Sequence, residues 1–192
     1  MLVRHAKTIT SKQQEIVLSY LSSTRNPVRN RVMAMLSFYG GLRAVEMKRL
    51  TWGSILTSEE TVGDSIEIYN TTAKGSSGGR SVPIHPELKK ELEMLFENRK
   101  ESITTDSPVI YSIRNPDKGM SGNSIVVFFK RLFDDLGINA SSHSGRRTFA
   151  GKLSKKVDAF TLKELMGHSS IQTTMLYVDV NQEEKNKAVC SL

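Results

Sequence analysis

Apolar residues recur at helical spacing through most of the chain. The first such segment follows Thr10, which can cap a helix. The apolar face of this helix is predicted to hold four residues: Ile16, Val17, Tyr20 and Leu21. A break at Pro27 separates it from a second helix, which Gly40 and Gly41 stop.

Later segments continue the helical pattern. A short third helix is predicted from Arg43 to Leu50, with Val45 and Leu50 facing inward. Five further helices are predicted at positions 86–96, 121–136, 143–153, 160–166 and 170–177. The residues at 182–189 fit a small terminal helix.

One segment has the character of two short strands. Three strand formers begin it: Ile66, Ile68 and Tyr69. Positions 81–84 form the return strand, and Pro83 within them implies an edge position or a strand end. The glycine- and serine-rich stretch Lys74–Arg80 is predicted to form a flexible, basic tip. The predicted fold is mainly α with a small antiparallel β-hairpin, an α+β domain.

Length and composition fit one globular domain. The 192 residues suffice for a hydrophobic core. We expect residues 1–9 to be an N-terminal arm or linker, residues 10–180 to form the domain, and residues 181–192 to be a tail. No apolar run reaches the length of a membrane span or a signal peptide. Cys190 is the chain's one cysteine, which excludes an internal disulfide and favours a reducing cytoplasm.

The chain is basic, with a net charge of +7 and a pI of about 9.5. This balance is consistent with a nucleic-acid partner, although many basic proteins bind nothing specific. Six basic residues fall in predicted loops or beside the motifs described below: Arg43, Lys74, Arg80, Arg146, Arg147 and Lys152. Their arrangement favours a concave cationic site over a uniformly charged surface.

Two pairs of polar residues point to a phosphate site. His143 and Arg146 are three positions apart on a predicted helix, so both can face one ligand. Arg43 opens a helix, where the macrodipole disfavours a cation and a bound phosphate would offset the cost. Glu46 can hold its guanidinium. The simpler alternatives are a capping histidine and an intrahelical Arg–Glu pair worth about 0.2–0.5 kcal/mol.

A tyrosine and a second histidine lie close together near the C-terminus. His168 follows a helix-closing glycine, and Tyr177 comes nine residues later. A tyrosine of ordinary pKa, about 10, is a poor nucleophile at neutral pH, and nearby arginines would lower that pKa. Without arginines, a half-buried tyrosine with a bonded hydroxyl is the commoner case. Lys74 can reach a leaving oxygen or can be an exposed turn residue. Two arginines, two histidines and a tyrosine together suit a phosphodiester.

Other chemistries lack their residues in this chain. The sequence has no GxxxxGK[ST] phosphate loop, no HExxH or cysteine cluster and no GxSxG elbow. Its acidic residues show no tight pairing of the kind used in two-metal sites. We therefore expect neither a metal nor a cofactor.

Four segments together resemble the tyrosine recombinases, the phage-integrase family. They are GGLRAVEMKRL, TTAKGSSGGRSVPI, SSHSGRRTFAGKL and LMGHSSIQTTMLYV, in the order and spacing of the family over about residues 10–180. The resemblance implies the recombinase catalytic-domain fold and a site-specific recombinase activity. It also implies double-stranded DNA as partner, a homotetramer on DNA, and a prokaryotic, nucleoid-associated location.

The resemblance implies a role for each residue of the catalytic set: Arg43, Lys74, His143, Arg146, His168 and Tyr177. Tyr177 would be the nucleophile that forms a 3′-phosphotyrosine link and frees a 5′-hydroxyl. The two arginines would hold the scissile phosphate, with Glu46 supporting them. Lys74 would be the general acid, His143 the general base or a hydrogen-bond partner, and His168 a support for the phosphate. Three further basic residues are expected to contact DNA: Arg80, Arg147 and Lys152.

Two departures from the family pattern are visible. Family members usually carry an N-terminal DNA-clamping domain, so this chain is either a catalytic-domain fragment or one of the minimal recombinases. Gly145 replaces the usual apolar residue of its motif, which we expect to loosen the helix slightly. Two other functions stay open, a DNA-relaxing topoisomerase with similar chemistry and a non-catalytic DNA-binding regulator. The tail could dock on a neighbouring subunit or on its own domain.

Overall fold

The computed structural model describes residues 7–69 and 79–178. The helices of this part are α1 (Ser11–Ser22), α2 (Pro27–Phe38), α3 (Ala44–Arg49), α4 (Pro86–Glu97), α5 (Gly122–Asp135), α6 (Ser144–Leu153), α7 (Ala159–Met166) and α8 (Ile171–Met175). Strands β1 (Ser65–Tyr69) and β2 (Gly79–Pro83) form an antiparallel pair. The predicted fold class is confirmed. The tip at 70–78, with Lys74, and the terminal helix at 182–189 lie outside the described residues.

Helix α1 begins where its cap predicts. The Thr10 hydroxyl accepts the N–H of Gln13, whose side chain accepts the N–H of Thr10 in return. The predicted apolar face is partly wrong, because Ile16 is 44% exposed and Tyr20 36% exposed. The buried residues of the helix are Gln14, Val17 and Leu21. Their spacing of three and four residues defines one face, and Ile16 lies off it.

Helix α2 is the central element of the core. Nearly all of its residues from Arg29 to Phe38 are buried, so it lacks the polar face of a surface helix. Phe38 is 1% exposed and belongs to the same buried core as Leu42 and Met47 from the chain that follows. Leu50 is buried as predicted, whereas Val45 is 46% exposed and its predicted inward position is wrong.

The hairpin buries one face of its two strands. Ile66 pairs with Val82 and Ile68 pairs with Arg80, and directly opposed residues share a face of the sheet. Both isoleucines and Val82 are buried, so Arg80 is on the core side. Pro83 ends strand β2, as predicted.

The chain divides into two compact units, one ending at Phe149 and the other beginning at Ala150. In the first, the core extends from Ile9 to Phe133. Ile9 is buried and its N–H donates to Thr148 Oγ1 at 2.8 Å, so the last residue assigned to the arm belongs to this core. In the second, Leu162 and Met166 of α7 are buried. None of the helices in residues 7–69 and 79–178 combines the length and the apolar character that a membrane span requires.

Candidate active site

Glu46 is the acidic centre of the candidate site, and Arg43 is its first partner. Arg43 occupies the N-cap position of α3, with an extended backbone. Glu46 Oε2 accepts the backbone N–H of Arg43 at 2.7 Å, and Oε1 accepts its Nη1 at 3.0 Å. The Arg43 side chain is 33% exposed. The predicted Arg43–Glu46 contact is present, with the guanidinium partly open to solvent.

Arg80 is the second partner of Glu46, in contrast to its predicted place in the flexible tip. It belongs to strand β2, and its side chain is 7% exposed. Its guanidinium binds both carboxylate oxygens, with Nη1 2.7 Å from Oε1 and Nη2 3.1 Å from Oε2. The alternation of Arg80 with buried Val82 was the signal that could have shown its inward direction.

Arg146 is the third guanidinium at this carboxylate. It lies in the first turn of α6, with a side chain 6% exposed. Its Nη1 donates to the carbonyl oxygen of Gly41 at 2.5 Å and lies 3.7 Å from Glu46 Oε2. Arg43 and Arg146, predicted to serve one phosphate, therefore meet at one carboxylate.

The electrostatics of the cluster favour an anion. Burial raises the pKa of Glu46, but hydrogen bonds from Arg80 and the Arg43 backbone, with the charges of Arg80 and Arg146, outweigh it and hold this pKa below its ordinary range. Glu46 is thus a carboxylate with three arginines around it. The four residues carry a net charge of +2, which a bound phosphodiester would reduce.

Two glycines allow the chain to bring Arg146 to this place. Gly41 has φ +62°, and a Cβ there would overlap the ring of Phe149. A Cβ on Gly145 would overlap Ser37 Oγ and would lie 2.7 Å from Phe38 Cδ1. Gly145 therefore permits a close approach of α6 to α2. The expectation that it merely loosens the helix missed this packing.

His143 lies immediately before Ser144, the first residue of α6, whereas it was predicted to lie within the helix. Its carbonyl accepts the N–H of Arg147 at 3.0 Å, and its side chain is exposed. The Ser144 hydroxyl accepts the N–H of Ser141, so a turn precedes the helix and its start lies one residue beyond the predicted one. Arg147 is half-buried on α6, and Lys152 is exposed in its last turn.

The second unit contains His168 and Tyr177. Gly167 closes α7 with a left-handed backbone, and His168 follows it, 8% exposed. Its Nδ1 lies 2.9 Å from Thr174 Oγ1, and its ring stacks on that of Tyr177 with centroids 6.1 Å apart. Tyr177 is half-buried, and its N–H donates to the carbonyl oxygen of Thr174 at 2.9 Å. It comes after the end of α8, whereas it was predicted to lie within that helix. The histidine and the tyrosine are therefore neighbours.

A cleft of about 750 Å³ lies beside the arginine cluster. Arg43 and Glu46 line it together with Arg49, Tyr69 and Asp106 among others, whereas Arg80 is not among the described residues that line it. The sequence favoured a concave cationic site that includes Arg43, but no pattern indicated the other residues that line this cleft. The described residues contain no group of three or more His, Cys, Asp or Glu placed to hold a metal ion.

The helical fold with its hairpin is the architecture of tyrosine recombinase catalytic domains. The chain belongs to the phage integrase family, whose model matches residues 7–184.

Two curated relatives have similar sequences. The tyrosine recombinase XerA of Thermococcus kodakarensis is 27% identical over 183 residues, covering 95% of this chain and 61% of the relative. The tyrosine recombinase XerD of Rickettsia prowazekii is 27% identical over 193 residues, covering 92% and 60%. The chain thus spans about three fifths of the length of these relatives.

Two solved structures share the fold. A crystal structure of XerA recombinase superposes with a TM-score of 0.72 at 20% identity, covering 97% of this chain and 65% of that one. The Tn1549 transposon integrase in complex with a circular intermediate DNA gives a TM-score of 0.75 at 20% identity, covering 99% and 66%.

Proposed function

We propose that this chain is the catalytic domain of a site-specific DNA recombinase that cleaves and rejoins DNA through a 3′-phosphotyrosine intermediate. The observation that carries the proposal is the meeting of Arg43 and Arg146 at Glu46. Three guanidiniums around one ionised carboxylate suit an anion with several oxygens to neutralise. Membership of the phage integrase family supports the same reaction.

In this proposal the arginines bind the scissile phosphate and stabilise the charge that develops in the transition state. Arg43, partly exposed beside the cleft, and Arg146, fixed by the Gly41 carbonyl, are the direct ligands. Loss of one such donor costs about 3–4 kcal/mol of transition-state stabilisation in other preorganised sites. We assign Glu46 the task of holding the two guanidiniums in place.

The covalent step conserves the phosphodiester bond energy. The phenolic oxygen of Tyr177 forms a bond to phosphorus, and the bond from phosphorus to the 5′-oxygen breaks. His143 accepts the phenolic proton, and Lys74 donates a proton to the leaving 5′-oxygen. His168 supports the phosphate. Attack of a 5′-hydroxyl on the phosphotyrosine reverses these transfers and reseals the strand.

Double-stranded DNA is the proposed partner, bound by a homotetramer in a prokaryotic cytoplasm. The solved Tn1549 transposon integrase is in complex with a circular intermediate DNA, and the XerH site-specific recombinase is bound to its difH substrate. The basic charge of this chain is compatible with such a partner. Arg147 and Lys152 are proposed to contact the DNA backbone.

A covalent-capture experiment tests the proposal on many DNA sequences at once. The protein is incubated with a library of nicked duplexes of randomised sequence, from which the small cleaved fragment diffuses away. SDS-resistant protein–DNA adducts are then isolated and sequenced. We expect adducts with wild type and none with Tyr177→Phe, because that variant lacks the nucleophilic oxygen. Adducts that persist in Tyr177→Phe, or none with wild type, would reject the mechanism.

The recovered sequences separate recombinase from topoisomerase. A recombinase enriches one defined site, and a supercoiled plasmid with two copies of that site exchanges the intervening segment. A relaxing topoisomerase gives adducts of weak sequence preference and relaxes plasmids that lack the site. The non-catalytic regulator gives binding without adducts.

A further inference from the structure

Arg80 is buried although it was expected to contact DNA. Its side chain is 7% exposed and that of Arg146 is 6% exposed, so the two differ in pairing and not in burial: Arg146 donates to a peptide carbonyl and lies 3.7 Å from Glu46 Oε2, whereas Arg80 binds both carboxylate oxygens. Its two terminal nitrogens, Nη1 and Nη2, donate to the two carboxylate oxygens of Glu46 at 2.7 and 3.1 Å. A guanidinium held in this bidentate way is fixed in direction as well as in distance. It is therefore poorly placed to become a phosphate ligand.

The Arg80–Glu46 pair joins two elements of the site. Arg80 lies on strand β2, in register with Ile68, and Glu46 lies on helix α3. The same carboxylate binds Arg43 through its backbone N–H and side chain, and lies 3.7 Å from Arg146. A change in the position of Glu46 would be transmitted to both arginines that the proposed function uses.

The hydrogen bonds that Glu46 accepts show how Arg80 can affect the other two arginines. Each oxygen of Glu46 already accepts a bond from Arg80 and one from Arg43. A carboxylate has about four acceptor sites, so Glu46 is saturated by these two residues. Arg146 donates to the Gly41 carbonyl at 2.5 Å, and its Nη1 lies 3.7 Å from Glu46 Oε2, which is an ion-pair distance without a hydrogen bond.

We propose that Arg80 is a positioning residue of the recombination reaction, which saturates Glu46 and so holds Arg43 and Arg146 for the scissile phosphate without contacting DNA itself. The inference depends on the proposed function for its catalytic consequence. Its structural part depends on the observed burial and bidentate pairing of Arg80.

A pH dependence follows from the same geometry. The charged groups that face Glu46 are Arg43 from α3, Arg80 from β2 and Arg146 from α6. Burial raises the pKa of Glu46, and the hydrogen bonds and charge of Arg80 oppose that effect. In Arg80→Gln this opposition is lost, so the pKa of Glu46 rises. Because the proposed role needs the carboxylate, cleavage by this variant should be lost at a higher pH than in wild type as the pH falls.

The test compares Arg80→Gln with Arg43→Gln and Arg31→Gln. Arg43→Gln removes a direct phosphate ligand. Arg31→Gln is the matched structural control, because Arg31 forms a comparable pair with Glu91 at 2.7 Å between α2 and α4. Duplex binding is measured over a range of salt concentrations, single-turnover cleavage is measured at saturating protein over a range of pH, and urea unfolding is measured for each variant.

We expect Arg80→Gln to keep the wild-type salt dependence of binding and to lower the cleavage rate on the order of 100-fold, the size expected for a misplacement of about 1 Å. Its acid limb should move to higher pH. Arg43→Gln should reduce the salt slope by about one. Arg31→Gln should lose stability while keeping the wild-type rate and pH profile.

Several results would overturn the inference. A salt slope reduced by about one in Arg80→Gln would make Arg80 a phosphate ligand, and an unchanged cleavage rate would make it a bystander. If Arg80→Gln does not fold, Arg80→Lys tests the positioning role through the cleavage rate, because it keeps the charge and loses the bidentate fork; a wild-type rate in that variant would overturn the inference. A wild-type protein that forms no adduct would reject the proposed function, whereas the binding measurements still decide whether Arg80 contacts DNA.

Discussion

Among single residues, Glu46 has the largest influence on the candidate site. The Glu46 carboxylate is 11% exposed and has three arginines around it. Burying such a charge without partners would be costly, but its ion pairs make the charged form favourable. Without Glu46 the three arginines would repel one another, and the buried Arg80 would lose its bidentate acceptor. The cluster is therefore stable only as a unit, and its energetics can be tested by removing the one negative charge.

Glu46→Gln should lower the free energy of unfolding by about 3 kcal/mol at neutral pH, because it leaves buried arginine charge uncompensated. The folded-state pKa of Glu46 is depressed, so its contribution to stability is present above the unfolded-state pKa and is lost as the pH falls through the folded-state pKa. The difference between wild type and variant should accordingly shrink in acid, measured by urea unfolding at several pH values.

Glu97→Gln is the control for this measurement. Glu97 is 60% exposed in its pair with Lys100, and its loss should change stability by less than about 1 kcal/mol. A difference between wild type and Glu46→Gln that stays constant down to strongly acidic pH would contradict the assignment of a depressed pKa to Glu46.

At the scale of elements, the sequence predicted where helices occur better than which way they face. The cap at Thr10 was predicted correctly, because a side chain that accepts a nearby backbone N–H is a local signal. The faces of Ile16 and Val45 were wrong, since a short helix with scattered apolar residues fits more than one orientation. The neighbours that choose the orientation are distant in sequence.

The site was predictable in its chemistry and less so in its geometry. Motif spacing identified Arg43, Glu46 and Arg146, and the structure brings these three together. It did not reveal that Arg80 shares the same carboxylate, because that contact joins a strand to a helix 34 positions earlier. It also placed His143 inside a helix that Ser144 begins. Local patterns carry no information on such long-range pairing.

Helix α6 provides a prediction at this scale through its two glycines. Gly145→Ala should destabilise the protein by about 1–3 kcal/mol, because the added methyl group would overlap Ser37 Oγ and the Phe38 ring. Gly151→Ala in the same helix should stabilise it by about 0.5–1 kcal/mol, because nothing lies within 4 Å of the added Cβ and alanine favours helices. Thermal or urea unfolding measures both, and equal effects would refute the close packing at Gly145.

For the whole molecule, charge is the property that sequence alone gives directly. The chain has a net charge of +7. Some of its arginines, Arg43 and Arg80 among them, are paired internally with Glu46. The remaining cations are available for association with a polyanion, and their effect reaches little beyond the Debye length of about 8 Å at physiological salt.

Binding to duplex DNA should therefore weaken steeply with salt. If about six phosphates are neutralised, the association constant should fall about 10³-fold between 50 and 200 mM salt. Fluorescence anisotropy with a labelled duplex measures this slope. Binding that does not change over the same range would contradict an electrostatic mode of association.

One partner of Arg146 is a peptide carbonyl, that of Gly41, which has a left-handed backbone. Since every amino acid supplies such an oxygen, exchanging side chains cannot delete this acceptor; it can only move it. The contact is thus inherited with the path of the main chain. An engineer who grafts another loop between α2 and α3 must reproduce that path, whatever side chains the graft brings, or the arginine will lose its anchor.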